Sequence, residues 1–146
     1  MLGFLGKLLL GNGTLAPKLR TELESEGLVL IEEGLSGSVR YDHFKAPGRY
    51  HDGKVTPERM GIGVSEERVA VYCKSGRVKL IDTAYSNPRL EMVDVSLLDD
   101  GRVAFRIDYD RGDVPRVSGL VTVRVQTPNA ARIVDEVRAR LEGRPA

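Results

Sequence analysis

The clearest pattern of apolar and polar positions lies at the end of the chain. Between Thr127 and Gly143, Ala130, Ile133, Val134, Val137 and Leu141 recur at i, i+3, i+4, i+7 and i+11. That spacing puts one apolar stripe on a helix. Thr127 offers a hydroxyl to a free N–H of the first turn, and Pro128 suits a position that needs no N–H. Gly143 can take the left-handed conformation that ends a helix. A helix with one apolar stripe needs one apolar surface to cover.

The region before it reads in period two. Leu28 to Ile31 is a short apolar run, and Gly34, Ser36, Gly37 and Ser38 predict a turn. Val39 to Phe44 predicts a second strand, with Val39, Tyr41 and His43 on one face and Arg40, Asp42 and Phe44 on the other. Lys45 to Pro57, with two prolines and two glycines, predicts a long loop. Further strands are expected at Arg59 to Val64, Arg68 to Lys74, Val78 to Thr83, Leu90 to Leu98, Arg102 to Asp110 and Val117 to Gln126. Asp99-Asp100-Gly101 predicts a tight hairpin. In the last two strands Val103, Phe105, Ile107 and Tyr109, then Val121, Val123 and Val125, are expected to point inward.

Two shorter helical segments come first. Met1 to Leu10 groups Leu2, Leu5, Leu8 and Leu9 on one face. Leu15 or Pro17 to Glu26 carries Leu15, Leu19 and Leu23, with Thr14 as a cap and Gly27 as the stop. Each is short enough to need something to dock on. Residues 1–26 are therefore read as a helical hairpin packed on the domain or on a partner. Residues 27–146 are read as a mainly β domain: about seven antiparallel strands in a curled sheet or barrel, closed by the C-terminal helix.

Composition narrows the function classes. Lys plus Arg (22) nearly balances Asp plus Glu (21), so the net charge of +1 gives no general attraction to nucleic acid or anionic lipid. The single cysteine excludes an internal disulfide and fits a reducing, cytoplasmic setting. The opening MLGFLGKLLLGNG carries one charge, Lys7, in mid-run, and falls short of the roughly 20 apolar residues that span a bilayer. It is read as neither a signal peptide nor a span. Contact of its helix with a membrane surface is the weaker alternative to packing on protein.

The order of seven strands and a C-terminal helix resembles the pleckstrin-homology superfold. The opening GFLGKLLLGNG, a helix and EGLVL look like the start of the bacterial pleckstrin-homology-like domains. The segment GIGVSEERVAVY, Gly61 to Tyr72, is similar to their hairpin with a Thr/Ser-x-x-Arg turn, with Ser65 and Arg68 in those positions. The stretch Ser36 to Pro57 departs from that pattern by its length. The resemblance implies a non-catalytic module that contacts protein partners or itself; some members assemble into rings. The alternative carried beside it is a barrel that binds a small ligand or lipid.

Candidate chemistry is sparse. Eukaryotic relatives that bind phosphoinositides converge several cations across the first two strands. The matching region here offers Arg40, Lys45, Arg49 and Lys54 without that spacing, among Glu32, Glu33 and Asp42. With Tyr50 and His51, those four cations are the candidate binding residues. His43, His51 and Asp52 match no metal-ligand spacing, so no metal and no cofactor is expected. Cys73 shares a strand face with Val69 and Val71 and reads as a small buried hydrophobe rather than a nucleophile. Gly61 and Gly63 precede a strand rather than a helix, which excludes a nucleotide fingerprint. Arg111-Gly112-Asp113 reads as a turn.

Overall fold

The computed structural model describes residues 13–142. Helix α1 (Pro17–Ser25) precedes strands β1 (Leu28–Ala46), β2 (Arg49–His51), β3 (Lys54–Ser65), β4 (Arg68–Cys73) and β5 (Val78–Ala84). A 3-10 turn (Pro88–Met92) leads to β6 (Val93–Leu97) and β7 (Val103–Asp108). A second 3-10 turn (Tyr109–Arg111) leads to β8 (Ser118–Gln126) and helix α2 (Ala130–Glu142). The strands form one antiparallel sheet in the order β5-β4-β3-β1-β8-β7-β6, with β2 paired to the end of β1. The sheet curls into a half-barrel with a C-terminal helix, consistent with the expected pleckstrin-homology-like barrel. The expected helix from Met1 to Leu10 lies outside the described residues.

The curl depends on β1. It pairs with β3 on one side and β8 on the other, so it belongs to both halves of the barrel. Two strands were expected here, separated by a turn at Gly34 to Ser38; one 19-residue strand is found. The glycines serve a bend instead. At Gly34 (φ +71) the register with β3 slips between Glu32 and Leu35, a bulge that turns the strand sharply. At Gly37 an added Cβ would lie 2.4 Å from the Arg124 carbonyl oxygen and 3.0 Å from the Met60 sulfur. Glycine is there for close packing, not for a turn.

The expected loop at Lys45 to Pro57 is a hairpin. β1 runs to Ala46, β2 returns from Arg49, and β3 begins at Lys54. Pro57 stands inside β3 opposite Ser38. β4 reaches only to Met60, so at Pro57 one edge of β3 has no partner strand and the missing N–H costs no ladder bond. A second slip changes the expected alternation near His43. With His43 at φ +50 and a register shift between Asp42 and Lys45, Phe44 turns inward beside Val39 and Tyr41.

The inner face is lined as the alternation predicts, by Val69, Val71 and Cys73, by Val103, Phe105 and Ile107, and by Val121, Val123 and Val125. α2 covers it with Ala130, Ile133, Val134 and Val137, all buried, and half-buried Leu141. Each large apolar side chain so buried contributes about 1.5–3 kcal/mol, so the helix is integral to the fold. The Thr127 hydroxyl accepts from the Asn129 N–H at 3.1 Å, one turn ahead of the helix proper. The expected strand from Leu90 begins later, at Val93, because Pro88 to Met92 winds into the 3-10 turn capped by Asn87.

α1 packs on the outer face of the first half-sheet. Leu15, Leu19 and Leu23 form a second, smaller core with Ala70. The helix starts at Pro17 with Ala16, not Thr14, at its cap, and the Leu15 N–H is satisfied by the Glu33 carboxylate at 2.7 Å. Gly61 and Gly63 make its seat: a Cβ at either would reach within 3 Å of Leu15 or Leu23. The Ser65–Arg68 turn locks the helix in place. The Ser65 hydroxyl accepts from the Arg68 N–H and donates to Glu26. The Arg68 guanidinium donates to Glu22 (2.8 Å), Glu26 (3.0 Å) and Asp82 (2.9 Å).

Candidate functional site

α2 fills one end of the half-barrel, and the other end is open. Three connections meet there: the β1–β3 hairpin, the β4–β5 turn at Lys74 to Arg77, and the segment after β7. Between them lies a cavity of about 390 Å³. Its deeper wall is apolar, with Val39, Ile107 and Val121. Its rim carries Arg49, Lys54, Lys74 and Lys79, and the rings of Tyr41, Phe44 and Tyr109 line one side.

The rings hold the site together. Tyr41 and Phe44 pack 5.3 Å apart, and Phe44 packs on Tyr109 at 5.8 Å. The Arg49 guanidinium lies over both Tyr41 (5.9 Å) and Phe44 (5.5 Å), within reach of the attraction between a cation and a ring face. His51 packs against this group in a tilted arrangement, 5.2 Å from Tyr41. Burial first, then the neighbouring charges of Lys54 and Arg49, hold its pKa below the usual 6.5, as expected near a positive rim. Among the described residues none of the four rim cations makes an ion pair, whereas Arg20, Arg40, Arg68, Arg102, Arg111 and Arg140 each do.

The candidate residues divide on the structure. Arg49 and Lys54 line the cavity, and His51 braces its aromatic wall. Lys45 and Tyr50 face each other across the β1–β2 pair, with the lysine 5.7 Å from the ring centre, and do not line it. Arg40 points to the outer face and pairs with Asp42 at 3.1 Å. Likewise His43 is exposed and lies 3.4 Å from Asp52, away from His51. No group of three His, Cys, Asp or Glu side chains among the described residues could hold a metal ion.

Lys74, Lys79, Tyr109 and Glu58 were not picked out from the sequence. The first three lie far from the 40–54 segment in the chain. Glu58 was hidden by the loop expected up to Pro57. Once β3 is extended back to Lys54, period two places Lys54, Thr56, Glu58 and Met60 on one inward row.

Glu58 is buried, at 6% exposure, and its Oε2 has no hydrogen-bond partner among the described residues. Burial raises its pKa above the usual 4.5, and Lys74 opposes this only in part. The same environment pushes the neighbouring Cys73 thiol up to about 11, through its own burial and the Glu58 charge. Glu58 is more easily protonated folded than unfolded. Its contribution is therefore most favourable below pH 4.5 and is lost as pH rises through the folded value. Glu58→Gln is expected to melt above the native chain at pH 8 and no higher at pH 4. Thermal melts of both across that range check it.

The chain matches no protein-family model and no curated protein. No described helix is long and apolar enough to cross a membrane.

Proposed function

We propose that this chain is a non-catalytic binding module of the bacterial pleckstrin-homology-like kind, whose ligand is a small anion held at the open mouth of the barrel. The strand-and-helix order and the Ser65–Arg68 hairpin support the family. The observation that carries the ligand class is the convergence of Arg49, Lys54, Lys74 and Lys79, without ion-pair partners among the described residues, on a cavity walled by Tyr41 and Tyr109. Several cations facing one space gain most from a group with several anionic oxygens, such as a phosphate. A thiol held at about 11 is protonated at neutral pH, which argues against Cys73 as a nucleophile there.

Calorimetric titration of the full chain with pyrophosphate tests this reading. Reversing Lys74→Glu and Lys79→Glu together is expected to weaken binding on the order of 100-fold, two charge-assisted contacts at about 1.4 kcal/mol each. Arg102→Glu, on the hairpin after β6, is expected to leave it unchanged. Equal affinity in the double reversal and the native chain would overturn the proposal.

Contact with a protein partner or a second copy is the other reading. One observation favours it: among the described residues β5 pairs only with β4, and its other edge borders a second cavity, of about 280 Å³, along the seam towards β6. The leucine face of α1, by contrast, is already used against the sheet.

A further inference from the structure

Among the described residues Glu58 is the only acid that lines the mouth cavity. It sits on the inward row of β3 between Thr56 and Met60, where an apolar side chain would serve the barrel better. Its cross-strand neighbour on β1 is Gly37, which offers it no side chain. The residue is 94% buried by its 6% exposure, yet Oε2 finds no donor among the described residues. A buried acceptor without a partner costs stability, and the fold offers nothing that requires an acid here. The carboxyl faces the cavity below the rim that carries the four cations.

We propose that the mouth is a two-point site in which Glu58 accepts hydrogen bonds from an ammonium group of the ligand, while Lys74, Lys79 and their neighbours hold its phosphate. The ligand class is thus a small phosphomonoester that also carries a primary amine. This deepens the anion-site reading and rests on it. A simple anion satisfies the rim and leaves Glu58 without a donor. An amine-bearing phosphate satisfies both, and its positive end compensates the buried carboxylate. Lys74 offsets the burial of the carboxyl only in part and makes no hydrogen bond to Oε2. Arg49 is engaged over the rings of Tyr41 and Phe44, and the Cys73 thiol is at best a weak donor.

The test compares ethyl phosphate with O-phosphoethanolamine, which differ by the amine, in calorimetric titrations of the full chain at pH 7.5. The native chain is expected to bind O-phosphoethanolamine at least 10-fold more tightly. In Glu58→Gln the preference disappears while ethyl phosphate still binds. Glu58→Met, apolar and of similar length, is expected to behave the same way and covers the case in which the amide disturbs folding. Equal affinities for the two compounds in the native chain, or a preference that survives both substitutions, overturn the two-point site alone. Absence of binding by either compound overturns the anion site and this inference with it.

Discussion

Arg68→Ala is expected to destabilise the protein by about 3 kcal/mol, the lower end of the cost of removing one partner from a buried ion pair. In a domain of this size that lowers the melting temperature by roughly 6–12 °C. The guanidinium is largely covered, at 16% exposure, and so are two of its partners, Glu26 and Asp82, at 19% and 15%. Removing it leaves three carboxylates facing one another with no cation between them. Asp82 keeps only the Tyr72 hydroxyl, which donates to it at 2.7 Å. The loss is concentrated where α1 meets the sheet, so the helix should detach before the barrel melts. Urea denaturation followed both by circular dichroism and by proteolysis at Lys18 and Arg20 resolves the two events. Adding Glu22→Gln, Glu26→Gln and Asp82→Asn to the alanine variant should recover part of the loss, because amides need no counter-charge. No recovery would show that Arg68 acts through packing of its stem rather than through charge.

Gly63→Val is expected to cost about 2–3 kcal/mol, towards the upper end of overpacking a filled core. A Cβ at residue 63 would stand 2.4 Å from Leu23 Cδ1 and 3.3 Å from Leu15 Cδ1. Leu23 is fully buried and has nowhere to swing. Valine adds two methyl groups beyond that Cβ, so the helix must lift. The double variant Gly63→Val with Leu23→Ala should lose less than the sum of the single losses, since each change makes room for the other. Strict additivity in denaturation midpoints would mean that the valine is accommodated elsewhere in the sheet.

These two predictions bear on what could be read in the sequence. The Gly61–Gly63 pair was legible as something other than a nucleotide loop, and the helix over Leu15, Leu19 and Leu23 was legible too, but not that the one seats the other. Nothing local in a strand says that its outer face must be flat. The C-terminal helix was legible because its stripe of Ala130, Ile133, Val134 and Val137 is a purely local pattern. The strands at 103–107 and 121–125 were legible for the same reason, their alternation being uninterrupted. β1 was not, since small residues can mean either a turn or a close approach, and only the Arg124 carbonyl and the Met60 sulfur decide which. The hairpin at 45–57 was hidden by Pro57, which a strand tolerates only where its neighbour has ended. The mouth was half legible. Arg49, Lys54 and His51 sit in one stretch rich in charge, whereas Lys74, Lys79 and Tyr109 reach the same cavity from separate strands and connections. Lys45 and Tyr50, drawn from the same stretch, face the other side of the hairpin because alternate residues must.

The double role of β1 also sets the order in which the molecule can assemble during synthesis. Its partners on one edge, residues 54–65, follow within a few tens of residues. Its partners on the other, residues 118–126, are made only after β4 to β7. Until those residues emerge, a long strand therefore has one finished edge and one bare edge, the state in which strands recruit foreign ones. Contacts as distant as Ser36 with Gln126 also slow folding, because the intervening chain must be ordered before they form. The irregularity around His43, where the register with β8 shifts between Asp42 and Lys45, breaks the regular line of that bare edge and is thus as useful to the nascent chain as to the finished barrel.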